Sequence, residues 1–168
     1  MIAIYNWEQL TEIPETDAIV HLAGKAHDTK NESEAAEYFA VKTGLTQKIF
    51  DYFLESNAQK FIFFSSVKAA AESVPGEYLT ENVIPIPKGP YGESKIKAEE
   101  YLLSKLSQAE KLQKKVYIVR PCMIHGPGNK GNLNLLYQVV SKGIPWPLGA
   151  FDNKRSFCSI DNIAFVVE

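Results

Sequence analysis

A chain of 168 residues is long enough to bury a core of its own. With 45% hydrophobic and 23% charged residues it falls among globular domains, not disordered or fibrous chains. A formal net charge of −2 provides no electrostatic footprint for nucleic acid or an anionic membrane surface. No apolar run approaches the ~20 residues that span a bilayer, and the start, MIAIYNWEQL, lacks the basic flank and long apolar stretch of a secretory leader. Cys122 and Cys158 stand at no metal-binding spacing and form no disulfide framework. The expectation is a reduced, cytoplasmic protein without a metal site.

In chain order, the apolar run AIVHLA (18–23) predicts a buried strand. A helix is predicted from about 33 to 56, with Ala35, Phe39, Ile49 and Phe53 at helical spacing. KFIFFS (60–65) predicts a second strand. An irregular stretch, 66–89, holds Pro75, Gly76, Pro85, Pro87 and Gly89. Loops of this length in compact domains are usually functional. Gly89-Pro90 then opens a predicted helix over about 90–113. KVYIVR (115–120) is a third strand, followed by the loop PCMIHGPGNKG (121–131). A helix over about 133–142 stops at Gly143 before Pro145, and 143–155 is again irregular. Near-continuous apolar strands alternating with helices predict a doubly wound parallel α/β sheet covered on both faces. Ligands bind outside the carboxyl ends of such strands, so the three irregular stretches are expected to converge on a site there.

Tyr91 and Lys95, four residues apart, share one face of the predicted helix. A phenol with a reference pKa of about 10 is a poor base at neutral pH, and a neighbouring ammonium favours its phenolate. The pair is suited to hydroxyl–carbonyl interconversion. On spacing alone, an accidental Tyr/Lys pair on a solvated helix face is the better explanation of so short a motif as Y-x-x-x-K. Ser66 adds context: it follows the second strand, 25 residues before Tyr91, where a hydroxyl can hydrogen-bond a substrate oxygen.

Other short signals have plainer explanations. Ser94-x-x-Lys97 fits S-x-x-K but lacks the partner motifs of penicillin-binding proteins. His21, His27 and His125 follow no ligand pattern and suit core or loop positions. Glu110–Lys115 is a solvated helix end.

The stretches DAIVHLAG (17–24), KFIFFSS (60–66), GPYGESKIKAEEYL (89–102), VRPCMIHGPGN (119–129) and RSFCSIDNIA (155–164) together resemble the extended short-chain dehydrogenase/reductase superfamily, in its NAD-dependent sugar-nucleotide epimerase/dehydratase branch. They occur in that family's order across nearly the whole chain. The resemblance implies an incomplete Rossmann-like fold over 1–168, with the substrate-binding region beginning at about 126. It implies Tyr91 as acid/base, Lys95 on the nicotinamide ribose, and Ser66 orienting the substrate hydroxyl. Leu22, Ala23, Gly24, Ser65 and Pro121 would line the cofactor. Asn129, Asn132 and Arg155 would meet a nucleotide sugar, UDP-linked. NAD is the implied cofactor, with NADP the alternative, and a homodimer is the implied assembly. The implied reaction is 4-epimerisation through a 4-keto sugar. A 4-keto-sugar reductase of the same family and a non-catalytic, partner-binding remnant are the alternatives. A dehydratase often has acidic residues beside the serine, where Val67-Lys68 stand.

The sequence departs from the family pattern at three places. The N-terminal glycine-rich βαβ unit of the family has no counterpart before 17, and no G-x-G-x-x-G turn is expected in the chain. VKTGLT (41–46) carries Lys42 where the family has asparagine. His125 stands where tyrosine is common.

Overall fold

A computed structural model describes residues 8–22, 43–74, 76–128, 132–145 and 154–168. Three parallel strands, β1 (Ala18–His21), β2 (Lys60–Phe64) and β3 (Lys115–Val119), form a sheet in that order. Their register aligns Ile19, Phe61 and Val116 in one row and His21, Phe63 and Ile118 two residues on. Side chains alternate across a sheet, so these rows share one face. The intervening row, Val20, Ile62 and Tyr117, points to the other.

The first face holds the core. Helix α1 (Leu45–Glu55) is amphipathic, and it buries Ile49, Phe50, Phe53 and Leu54. Phe50 meets Phe61 edge-on, with ring centroids 5.0 Å apart, and Phe53 lies 5.2 Å from the same ring. Helix α3 (Gly89–Ser104) brings Ala98 and Leu102, both fully buried, against this cluster. Tyr101 ties the two helices, because its hydroxyl donates to Asp51 at 2.6 Å and Lys105 reaches the same carboxylate at 2.8 Å. On the second face Val20 and Tyr117 remain 42% and 45% exposed, while Ile62 between them is buried. By the described residues, the expectation of cover on both faces is met on the first face and in part on the second. Apolar runs look alike in either case.

The predicted strands lie where expected. Of the helix expected over 33–56, the structure describes 45–55 as α1; residues 23–42 are outside the described segments. The helix expected over 90–113 is two, α3 and α4 (Leu106–Lys111), parted at Lys105. The irregular stretch 66–89 opens with a one-turn helix, α2 (Val67–Ala70), and Ile86 bonds back to Ala70.

The chain divides at Arg120 into two compact units. In the second, β4 (Met123–His125) and β5 (Phe157–Ser159) pair in parallel across α5 (Asn132–Ser141), and α6 (Ile160–Val167) follows. β4 lies within the loop expected over 121–131, and β5 and α6 lie beyond the irregular stretch 143–155, where no element was predicted. Ser159 caps α6 by accepting the Asn162 N–H at 3.1 Å.

Gly92 lets α2 approach the first turn of α3: a Cβ there would lie 2.5 Å from the Lys68 carbonyl oxygen. Overpacking of this kind costs about 1–3 kcal/mol, and alanine recovers up to ~1 kcal/mol in helix propensity. Gly92→Ala is expected to lower the urea midpoint, and an unchanged or raised midpoint would contradict this packing.

Candidate active site

The first unit brings Ser66, Tyr91 and Lys95 to the carboxyl end of β2. Ser66 has extended backbone and caps α2, its Oγ accepting the Lys68 N–H at 3.3 Å. Accepting with its oxygen leaves the hydroxyl proton to donate to a ligand oxygen. Tyr91 lies half-buried in the first turn of α3, behind Gly89, whose φ of +79° suits glycine, and Pro90.

Lys95 follows one turn later and is 5% exposed. Its Nζ donates to the Phe64 carbonyl at 2.6 Å and stands 4.7 Å from the centre of the Phe63 ring. Burial pushes its pKa down to about 8, and the Glu99 carboxylate opposes that shift. Hydrogen bonding, ring and carboxylate thus hold a buried ammonium beside the tyrosine helix. A buried cation without such partners would neutralise instead.

Ser65 is buried. Its hydroxyl donates to Glu99 and its N–H to the Val119 carbonyl at 2.8 Å. Glu99 also receives Arg120, through Nε at 3.1 Å and Nη2 at 2.5 Å. Neither Glu99 nor Arg120 was expected at the site. The signal was present, since Tyr91, Lys95 and Glu99 are spaced by four along one helix.

Leu22, just past β1, is 65% exposed. Ala23, Gly24, Asn129, His27 and Lys42 lie outside the described residues, as does the side chain of Asn132. Pro121 and Arg155 belong to the second unit, Pro121 half-buried and Arg155 exposed. His125 there meets Phe157 edge-on at 6.4 Å. The stretches expected to converge are divided between the units, 66–89 in the first and 121–131 and 143–155 in the second.

One expectation is corrected by the sequence itself. Gly126-Pro-Gly128-Asn-Lys-Gly131 does have G-x-G-x-x-G spacing, between β4 and α5. Two of its glycines have local reasons. A Cβ on Gly126 would meet the Ile160 side chain at 2.6 Å, and Gly128 turns at φ +77°. The motif is short and frequent by chance. Among the described residues no group of three or more His, Cys, Asp or Glu is placed to hold a metal, and no helix is long and apolar enough to cross a membrane.

The sequence model of the NAD dependent epimerase/dehydratase family matches residues 3–167, and the chain belongs to that family. It is 36% identical over 157 residues to a UDP-glucose 4-epimerase of Vibrio cholerae, covering 90% of this chain and 47% of that protein. It thus spans about half the length of this relative. The fold is similar to that of a UDP-N-acetylglucosamine 4-epimerase from Methanobrevibacter ruminantium in complex with UDP-N-acetylmuramic acid, with a TM-score of 0.78, 24% identity and coverage of 93% of this chain and 52% of that one. The structure of RMD from Pseudomonas aeruginosa complexed with NADPH has the same TM-score, 0.78, at 22% identity, covering 96% and 59%. These likenesses establish a partial Rossmann-like α/β fold.

His21 carries a pH dependence. It is 3% exposed, its Nε2 lies 2.9 Å from the Thr46 hydroxyl, and its ring stacks on Phe63. Burial, and then the Lys95 charge, lower its pKa from 6.5 to about 4. Between those values the unfolded chain binds a proton that the folded chain refuses, so stability falls as pH drops from 6.5 toward 4. The full loss amounts to roughly 3 kcal/mol. Urea unfolding at about pH 7 and about pH 5 should show part of this loss in the parent and less of it in His21→Gln. Equal acid losses in the two chains would exclude His21 as the titrating group.

Proposed function

We propose that the chain carries the acid/base and substrate-orienting part of an NAD-dependent 4-epimerase acting on a UDP-linked sugar. The supporting observation is the buried Lys95 ammonium, held at the end of β2 on the tyrosine face of α3 and next to the strand that delivers Ser66. Family membership and the Vibrio relative support the substrate class.

The described residues fit a nicotinamide nucleotide. Parallel strands bind such ligands outside their carboxyl ends. There the chain presents an exposed apolar side chain, Leu22, and the Lys95 ammonium, a donor for ribose hydroxyls. Ala23, Gly24 and Pro121 are proposed to complete that wall. With the Ser65 hydroxyl and N–H engaged by Glu99 and Val119, Ser65 contributes as support. The second unit is proposed to begin the substrate-binding region, with Asn129, Asn132 and Arg155 toward the nucleotide sugar.

When bound, the nicotinamide supplies reversible hydride exchange with a sugar carbon. The residues of the chain manage protons and orientation. Ser66 hydrogen-bonds the 4-hydroxyl of the sugar. Tyr91, as phenolate, accepts the proton from that oxygen as a 4-keto sugar forms. It returns the proton once the ring has presented its other face. The Lys95 ammonium favours the phenolate, and by holding the ribose hydroxyls it fixes the cofactor relative to Tyr91.

The test is conversion of UDP-hexose with substoichiometric NAD, followed by NMR of the C4 epimer. Epimer is expected, with Tyr91→Phe slower by at least about 100-fold and NAD-dependent quenching of tryptophan fluorescence retained. Unchanged turnover in Tyr91→Phe would remove Tyr91 from the acid/base role. Stoichiometric NADPH consumption on a UDP-4-keto-hexose, with no epimer formed from the UDP-hexose, would identify a 4-keto-sugar reductase. Neither conversion nor quenching would identify a non-catalytic remnant.

A further inference from the structure

We propose that Glu99 is a positioning residue of this site, tying the ends of β2 and β3 to α3 one turn beyond Lys95 and so fixing the Lys95 ammonium against the Phe64 carbonyl. The inference rests on the reading of Lys95 as a site residue, but its test does not depend on turnover.

Three placements support it. Glu99 is fully buried, so its carboxylate is out of bulk water. Both of its oxygens are used: Ser65, the residue after the carbonyl that Lys95 grips, donates its hydroxyl, and Arg120, the residue after β3, donates through Nε and Nη2. Glu99 also stands four residues from Lys95 on α3, so a single helix face carries both ends of the clamp. Displacing the Glu99 carboxylate would release Ser65, and with it the Phe64 carbonyl to which Lys95 is bonded.

The Arg120 side chain remains 24% exposed, beside a cavity of about 490 Å³ that Val67, Ala70 and Leu103 also line. Glu99, with its side chain 1% exposed, forms part of the inner wall of the same cavity. A charge held there acts on Lys95 through little water, and the Glu99 field does raise the Lys95 pKa against burial. Removing the negative charge while leaving Arg120 in place would make the surroundings of Lys95 more positive and favour its neutral amine.

The experiment is the pH dependence of Lys95 acylation in the 168-residue chain, read by mass spectrometry of the modified peptide. In the parent the midpoint is expected at about 8. In Glu99→Gln, which keeps the side-chain shape, it is expected to fall below the parent value. A residue with only a structural role would do the opposite: loosening the fold would hydrate Lys95 and move the midpoint up, toward the ordinary 10.5. An unchanged or raised midpoint in a folded Glu99→Gln chain overturns the proposal. Should that variant unfold because Arg120 is left unpaired, the double substitution Glu99→Gln/Arg120→Met removes the buried cation as well. Its midpoint is expected below that of Arg120→Met alone, where the Glu99 field is kept, and an equal or higher one overturns the proposal. Loss of epimerase activity in Tyr91→Phe leaves this result untouched, so the two readings fail separately.

Discussion

The first unit depends on one contact, the packing of α3 across the central strand β2. Phe61 and Phe63 project from β2 into the core, and Ala98 and Leu102 of α3 close over them with Phe50 and Phe53 of α1. Removing a buried phenylalanine from such a cluster costs about 3–5 kcal/mol, a large share of a typical domain stability of about 5–15 kcal/mol. The contact also has a chemical consequence. A helix lying flat on Phe63 sets its preceding turn over the end of the strand, which is where Lys95 meets the Phe64 carbonyl. Packing and site geometry are therefore a single constraint.

Among the described residues, buried polarity gathers at the carboxyl end of the sheet, with Lys114 buried at the amino end of β3 against the Phe53 and Ser56 carbonyls. Among the described residues of the carboxyl end, Lys95 and Glu99 are buried and Arg120 partly so. Breaking one member of a buried pair typically costs 3–5 kcal/mol, because the other charge is left uncompensated. Replacing the whole pair with apolar groups is often neutral. The pair is thus weak as a source of stability and well suited to orientation. His21 belongs to the same arrangement: it is kept neutral by burial and by the nearby Lys95 charge, so it adds no positive charge there near neutral pH.

The strands were legible because β1, β2 and β3 are short apolar runs bounded by polar residues. Tyr91, Lys95 and Ser66 were legible from their placement after such a run and at a proline-marked helix start. The break at Lys105 was not, since LLSKLSQAEK continues a helical pattern without a breaker. It arises where the Lys105 side chain reaches across to Asp51 on α1, a partner 54 residues away. The exposure of Val20 and Tyr117 among the described residues was likewise hidden, because Val20, Ile62 and Tyr117 are apolar whether or not a helix lies over them. The α6 start at Ser159 had a readable signal, a capping serine before an acidic residue. Spacing by four puts Glu99 on the Tyr91/Lys95 face, but its part as a joint needed the fold, since only the meeting of β2, β3 and α3 shows that one carboxylate joins Ser65 to Arg120.

The most direct test of the account is hydrogen exchange in the 168-residue chain, resolved to the β2 peptide, 60–64, and the α3 peptide, 89–104. If the contact between them organises the unit, the slowest amides of both exchange with the same opening free energy and lose protection together as urea is added. Protection of β2 alongside near-unprotected exchange throughout α3 would show that the helix bearing Tyr91, Lys95 and Glu99 is not held by the sheet, and would contradict the account.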